Sequence, residues 1–330
     1  MEEYNIKTKV VGVDISNETT TYAVVDIRGN ILAEESFATS DYPDVNNFVT
    51  VLSDKIVMLV EANGGYETIR SIGVSCPSAS SVSGCIENAA NLPWKGVIPL
   101  SAMLRDRIGL AVGLSNDAHI SSLGEYTFGS AHGMKNFIVI SLGVGIGSCF
   151  FSAGQEHQGN LGYAGEFGHT CIVDKGRKCG CGHEGCVESY VGANGIVVTA
   201  RELMEESDKP SLMRQAERLS PKIITGFCNE GDELAIEVYR RTGYMLGRAL
   251  ANYASLVDPE AIILTGGVSH AGKWLVDPTS ESFEAHVFGN LKGKVKILLS
   301  KLDDRERDVL GASALAWSVP EYSLFKSKCT

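Results

Sequence analysis

The sequence predicts an α/β protein of two domains. Short β-branched runs alternate with longer segments of helical period, the pattern of strands interleaved with helices. The 330 residues exceed one ordinary domain. A strand–loop–strand unit near residue 10 is echoed near residue 137, which suggests two related halves. Hydrophobic residues make up 44% and charged residues 21%, a globular and not a disordered composition.

Each element follows from local pattern. Residues 9–14, 21–26 and 31–37 read as three strands, with polar turn residues between them. A helix is expected over 45–60 and a buried strand over 69–74, stopped at Pro77. Residues 102–108 read as a helix, 111–114 as a strand ending at Ser115-Asn116-Asp117, and 118–128 as a helix. The strand 136–142 runs into Gly143-Val-Gly-Ile-Gly147, with 148–152 as its partner. Over 232–257 the apolar residues Leu234, Val238, Met245, Leu246, Ala249, Leu250, Tyr253 and Leu256 recur close to a 3.6 period, and Asp258-Pro259 is a stop signal. Strands at 261–264 and 295–299, with the turn Thr265-Gly266-Gly267 after the first, precede a helix from Gly311.

Composition excludes several functions. Lys and Arg number 29 against 40 Asp and Glu, a net charge of −11, which disfavours nucleic acid or an anionic membrane as the main partner. The apolar runs are strand-sized, shorter than the roughly 20 residues of a membrane-spanning helix. The acidic start, Met-Glu-Glu-Tyr-Asn, does not resemble a secretory signal, so a cytoplasmic protein with reduced thiols is expected. Of nine cysteines, Cys76, Cys85, Cys149, Cys171, Cys228 and Cys329 are scattered, and packing is their expected role. The others fall in Lys178-Cys-Gly-Cys-Gly-His-Glu-Gly-Cys-Val-Glu188. Thiolates at Cys179, Cys181 and Cys186, on a glycine-rich chain that folds tightly, suit a zinc knuckle. The fourth ligand is His169 or His183. His169 is preferred, because His183 lies between the thiolates, where a short loop would strain to reach the same ion.

Several strings together resemble the ROK family of sugar kinases and repressors, within the actin-like, hexokinase-type (ribonuclease H-like) ATPases. They are Val11-Gly-Val-Asp14, Asn116-Asp117, Leu142-Gly-Val-Gly-Ile-Gly147, Gly165-Glu-Phe-Gly-His169, Cys179-Gly-Cys-Gly-His-Glu-Gly-Cys-Val-Glu188 and Leu264-Thr-Gly-Gly267. The Gly-Glu-x-Gly-His element followed by Cys-x-Cys-Gly-x-x-Gly-Cys-x-Glu is the specific part. The glycine turns alone are weak evidence, since they lack the strand-to-helix context of a dinucleotide fingerprint.

The resemblance implies two α/β domains around a cleft. The first covers residues 1–117 and is rejoined by the chain's last helix, about 311–330. The second covers 118–310 and carries the knuckle, 169–188. It implies a glucokinase-like enzyme using ATP and Mg²⁺ to phosphorylate a hexose or N-acetylhexosamine, commonly as a homodimer or tetramer. Asp117 is then the base for the sugar hydroxyl. Asn116, Glu166, His169 and Glu188 bind the sugar, and Ser78, Asn88 and Asn91 form its opposite wall. Asp14 holds Mg²⁺ through water, Gly143, Gly145 and Gly147 face the phosphates, and Gly266 and Gly267 line the adenosine. The zinc is structural. Repressors of the family carry an N-terminal helix-turn-helix, for which a first strand at Val10 leaves no room.

One departure opens an alternative. Where the family's kinases read Asp-x-Gly-Gly-Thr, this chain reads Asp14-Ile-Ser16-Asn17-Glu18, and Val144 stands where threonine is common. Side chains at 16 and 17 restrict the turn, and a carboxylate at 18 repels phosphate. The alternative is a degenerate member that binds sugar as a sensor without phosphorylating it.

Overall fold

The computed structural model describes residues 6–89, 92–160 and 163–320. Two compact units account for the chain: residues 1–132 with 302–330, and residues 133–301.

In the first unit, strands β1 (Lys9–Ile15), β2 (Thr19–Asp26) and β3 (Ile31–Ala38) form a meander, and β4 (Ile69–Ser75) and β8 (Ala111–Ser115) run parallel to β1. The sheet order is β3-β2-β1-β4-β8. Short strands β5 (Ala79–Ser80), β6 (Cys85–Glu87) and β7 (Val97–Ile98) make a separate small sheet. Alternation along β1 divides the packing by face. Val11 and Val13 join a core with α1 (Val45–Ala62) and α2 (Leu100–Ile108), through Phe48, Leu52, Ile56 and Leu104. Val10 points the other way, with Ala23 and Val25, onto Val309 and Leu310 of the terminal helix, Asp304–Ser318.

That helix starts seven residues before the expected Gly311. The remainder of the expected 311–330 segment, from 321 on, lies outside the described residues. Helix α3 (Asp117–Thr127) packs against the terminal helix where Gly124 faces Gly311, and Ser121 Oγ donates to Asp308 Oδ1 at 2.9 Å. The first unit therefore keeps α3 and runs to His132, past the boundary expected after Asp117.

The second unit repeats the plan. A meander of β9 (Phe137–Leu142), β10 (Ile146–Ser152) and β11 (Gln155–Glu156) is extended by parallel β12 (Ala261–Thr265) and β13 (Lys296–Leu299), in the order β11-β10-β9-β12-β13. Its helices are α4 (Glu188–Val191), α5 (Ala193–Glu206), α6 (Pro221–Asn229), α7 (Glu233–Val257) and α8 (Lys273–His286). Helix α7 starts where Asp232 Oδ1 accepts from the N–H groups of Leu234 and Ala235, at 3.0 and 3.1 Å. It buries Leu234, Val238, Leu246, Ala249, Leu250 and Ala254, and stops at Asp258 in the left-handed region. Leu256, expected on the apolar stripe, is 81% exposed, because the last turn rotates off the core. Helices α5, α6 and α8 were not legible in the sequence. Pro278 lies inside α8, packed against Gly243 of α7.

Candidate functional site

The carboxyl ends of parallel strands are where open α/β sheets present ligand-binding groups. In the first unit, pairing aligns Asp14 with Ser75 and Ser75 with Ser115. Asp14 thus lies on the same sheet edge from which Asn116 and Asp117 emerge. Asn116 caps α3, its Oδ1 accepting from His119 N–H at 2.9 Å. Asp117 is the first helical residue, solvent-accessible, with Oδ1 on the Ala118 N–H at 2.9 Å.

The electrostatics of this edge are those of crowded carboxylates. Burial, then the negative charges of Asp308 and Asp117, push Asp14 up to about 7, against the opposing pull of Ser75 and Arg307. Protein packed around one side of the Asp117 carboxyl, then Asp308, also raise that group, which stays open to solvent, against the opposing pull of the Ala118 N–H and Arg307. Arg307 is the local cation. It is 8% exposed and bonds Asp308 Oδ1 and Oδ2 at 2.9 and 3.0 Å and Asp304 Oδ1 at 2.8 Å. Sequence reasoning missed Arg307 and Asp308. They stand in Asp303-Asp-Arg-Glu-Arg-Asp308, which reads as a solvated charge run, and only burial distinguishes them.

The first turn closes on itself. Ser16 N–H donates to the Thr19 carbonyl at 3.0 Å, Ser16 Oγ donates to the same carbonyl at 2.8 Å, and Thr19 N–H returns to Ser16 Oγ at 3.1 Å. Asn17 and Glu18 are exposed. Ser78 and Asn88 are joined through the small sheet, where Glu87 N–H donates to the Ser78 carbonyl at 2.9 Å. Both are exposed, and both adopt the left-handed region, with φ of 57° and 51°. Such conformations in non-glycine residues concentrate where structure serves a site. Asn91 lies outside the described residues.

In the second unit, His169, Cys179, Cys181 and Cys186 converge, with all four ligand atoms within 4.8 Å of one another. The spacing fits zinc. Bonds of about 2.3 Å to sulfur and 2.0 Å to nitrogen in a tetrahedron imply edges of roughly 3.8 Å between sulfurs and 3.6 Å between sulfur and nitrogen. Cys181 Sγ and Cys186 Sγ are 3.7 Å apart, and Cys179 Sγ is 3.6 Å from His169 Nδ1. Burial, then Cys179 and Cys181, push the Cys186 thiol up to about 12. His183 contributes its carbonyl, which accepts from Cys179 N–H at 2.8 Å, and its ring is not in the cluster.

The turn that carries Glu166 and His169 is pinned at Phe167, buried edge-on against Tyr253 of α7 with ring centroids 4.8 Å apart. Glu166 Oε2 stands 3.9 Å from His169 Nε2, and its side chain is 59% exposed, open to a ligand. Glu188 heads α4 between the cluster and the glycine turn: Oε1 is 3.8 Å from Cys179 Sγ, and Oε2 accepts from Ile146 N–H at 3.0 Å. Gly143 and Gly145 shape the β9–β10 turn, and Gly147 lies at the start of β10, paired with Ser141. Gly266 follows β12, the strand beside β9, with φ of 85°, and is packed on the Leu142 backbone where a Cβ would come within 2.7 Å of the carbonyl. Gly267 next to it borders open space. Both glycine segments therefore share the carboxyl edge of this sheet.

Sequence comparison then gives these geometries a context. A model of the ROK family matches residues 10–319. A glucokinase of Streptomyces coelicolor is 31% identical over 315 residues, covering 93% of this chain and 96% of that protein. A ROK family glucokinase from Streptomyces griseus, solved in complex with glucose and AMPPNP, is 30% identical with a TM-score of 0.74, covering 94% and 99% of the two chains. A xylose repressor of Caldicellulosiruptor bescii is 26% identical, over 95% of this chain and 80% of the repressor.

Proposed function

The chain belongs to the ROK family, with the actin-like ATPase fold of its sugar kinases, and from that premise we propose that it is an ATP-dependent hexose kinase in which Asp117 accepts the proton of the sugar hydroxyl. The observation that carries this reading is Asp117 itself. It is an accessible carboxylate at the head of α3, beside Asp14, with its pKa raised above the ordinary carboxylate value.

Asn116, Glu166, His169 and Glu188 bind the sugar hydroxyls, and Ser78, Asn88 and Asn91 extend that recognition. The glycines at 143, 145, 147, 266 and 267 let backbone approach the nucleotide. Asp14 holds Mg²⁺ through water; its carboxyl, raised by burial and then by Asp308 and Asp117, marks a place where a cation relieves charge. When bound, Mg²⁺ neutralises phosphate charge. Zinc on His169, Cys179, Cys181 and Cys186 is structural, with closed coordination. The protein acts in the cytoplasm as a homodimer or tetramer. Among the described residues, no helix is long and apolar enough to cross a membrane.

The test is ADP release with Mg-ATP and glucose, mannose or their N-acetylamino relatives. At least one sugar should support turnover in the wild type and none in Asp117→Asn. Turnover undiminished in that variant refutes the assignment.

A second reading is favoured by one observation. The 16–19 turn engages its own Ser16 and Thr19 N–H groups, leaving fewer donors for phosphate. On that reading the protein binds sugar as a sensor or regulator. Calorimetry showing sugar binding without ATP binding would select it.

A further inference from the structure

We propose that Glu188 is a positioning residue for the 143–147 turn, a strut through which the metal knuckle sets the geometry of the nucleotide-facing backbone. This rests on the hexose kinase reading and deepens it. There Glu188 is a sugar ligand; here it also has a second task.

The geometry assigns both carboxylate oxygens. Oε2 accepts from Ile146 N–H at 3.0 Å, and Oε1 faces Cys179 Sγ at 3.8 Å. Position 145 fits this arrangement, since a Cβ there would stand 3.0 Å from Oε2. Backbone contacts on the same side reinforce it: Ala193 N–H donates to the Gly143 carbonyl at 2.9 Å, just after α4. Glu188 follows Cys186 by two residues, so metal binding fixes the backbone from which the strut projects. An ionised carboxylate offers about four lone-pair sites, so one bond to Ile146 leaves acceptor capacity for a sugar hydroxyl. One side chain thus joins metal, sugar and turn, and by linkage a group that orders the turn for one ligand favours the other.

Sequence reasoning placed Glu188 only among sugar ligands. Its reach to Ile146, 42 positions earlier, has no local signal.

Hydrogen–deuterium exchange on metal-loaded protein tests the strut without reference to catalysis. Glu188→Ala should speed exchange at Ile146 by about tenfold, the loss of roughly one hydrogen bond, while zinc content stays at one per chain. Glu188→Gln, which keeps an acceptor oxygen, should restore protection. Partial chelation, at doses that leave β12 protected, should speed exchange at Ile146 in the wild type and add nothing in Glu188→Ala. In kinetics, Gly145→Ala should raise KM for Mg-ATP about fivefold and raise the sugar KM with it, because it displaces Glu188, while zinc content stays at one per chain. Unchanged exchange at Ile146 in Glu188→Ala, or chelation and substitution adding independently, would overturn the proposal. If Glu188→Ala does not fold, exchange in Gly145→Ala decides by the same criterion. A strut confirmed by exchange in a protein without turnover would instead count against the kinase reading alone.

Discussion

The two halves of the chain build the same meander and place a turn at the same point of it, yet the turns are made by different means. Between β1 and β2, Ser16, Asn17 and Glu18 form a hairpin that Ser16 closes with its own hydroxyl and N–H. Between β9 and β10, Gly143 and Gly145 flank a turn in which Gly143 N–H donates to the Gly145 carbonyl at 3.0 Å, and which Glu188 and the chain after α4 also hold from outside. A turn of side-chain-bearing residues stabilises itself and presents less backbone. A glycine turn presents backbone but needs external support. The difference separates the kinase and sensor readings, because phosphate recognition by backbone needs open N–H groups on the relevant turn.

The largest expected effect lies beside the first turn. Asp117→Asn should lower kcat by about a thousandfold or more while sugar affinity by calorimetry changes little, since a positioned base contributes 10²–10⁴-fold. That result would show that the closed hairpin does not silence the site. Next, replacing Ser16-Asn17-Glu18 by Gly-Gly-Thr makes the first turn resemble the second. If the hairpin limits nucleotide access, kcat/KM for ATP should rise by about tenfold or more, a gain of roughly 1.4 kcal/mol. No gain would clear the turn of that role. Zinc removal probes the other half: a strong chelator should weaken sugar binding and lower the unfolding temperature together, as expected when the metal is part of the fold. Normal sugar affinity in zinc-free protein would break that link.

A smaller effect concerns pH. Asp14 has its folded pKa raised to about 7 from an unfolded value of 3.8. Between these values the folded state holds a proton that the unfolded state has lost, so stability falls as pH rises through the window. Asp14→Asn removes that cost. The variant should match the wild type near pH 4 and exceed it above pH 7, by on the order of 10 °C in unfolding temperature, at about 1.4 kcal/mol per pH unit between the two values and roughly 2–4 °C per kcal/mol. The same stability difference between variant and wild type at pH 5 and pH 8 would refute a raised Asp14 pKa. Smallest is Ser16→Ala, which removes the hydroxyl from an exposed turn and should cost about 0.5–1 kcal/mol in denaturant unfolding.

Much of this was legible in the sequence, for reasons that differ by residue. Strands such as β1 and β9 announce themselves through β-branched runs, and α7 through its period. The convergence of His169, Cys179, Cys181 and Cys186 was readable because three of them sit within one short glycine-rich string, and His169 lies close upstream. Helices α5, α6 and α8 were not read; the last carries Pro278, a residue that argues against helix until packing on Gly243 is seen. The Arg307–Asp308 pair and the bond from Ile146 to Glu188 depend on contacts across the fold, which local pattern does not encode. That the first unit runs to His132 follows from the packing of α3 on the terminal helix, a tertiary fact with no local signal.

The terminal helix also has a consequence for biosynthesis. The second unit is continuous in sequence and can mature as it leaves the ribosome. The first unit begins the chain but lacks the cover over Val10, Ala23 and Val25 until Val309 and Leu310 arrive from the far end. A chain synthesised only as far as the second unit therefore leaves that apolar sheet face without its cover, so the half that is made first is the last to be completed.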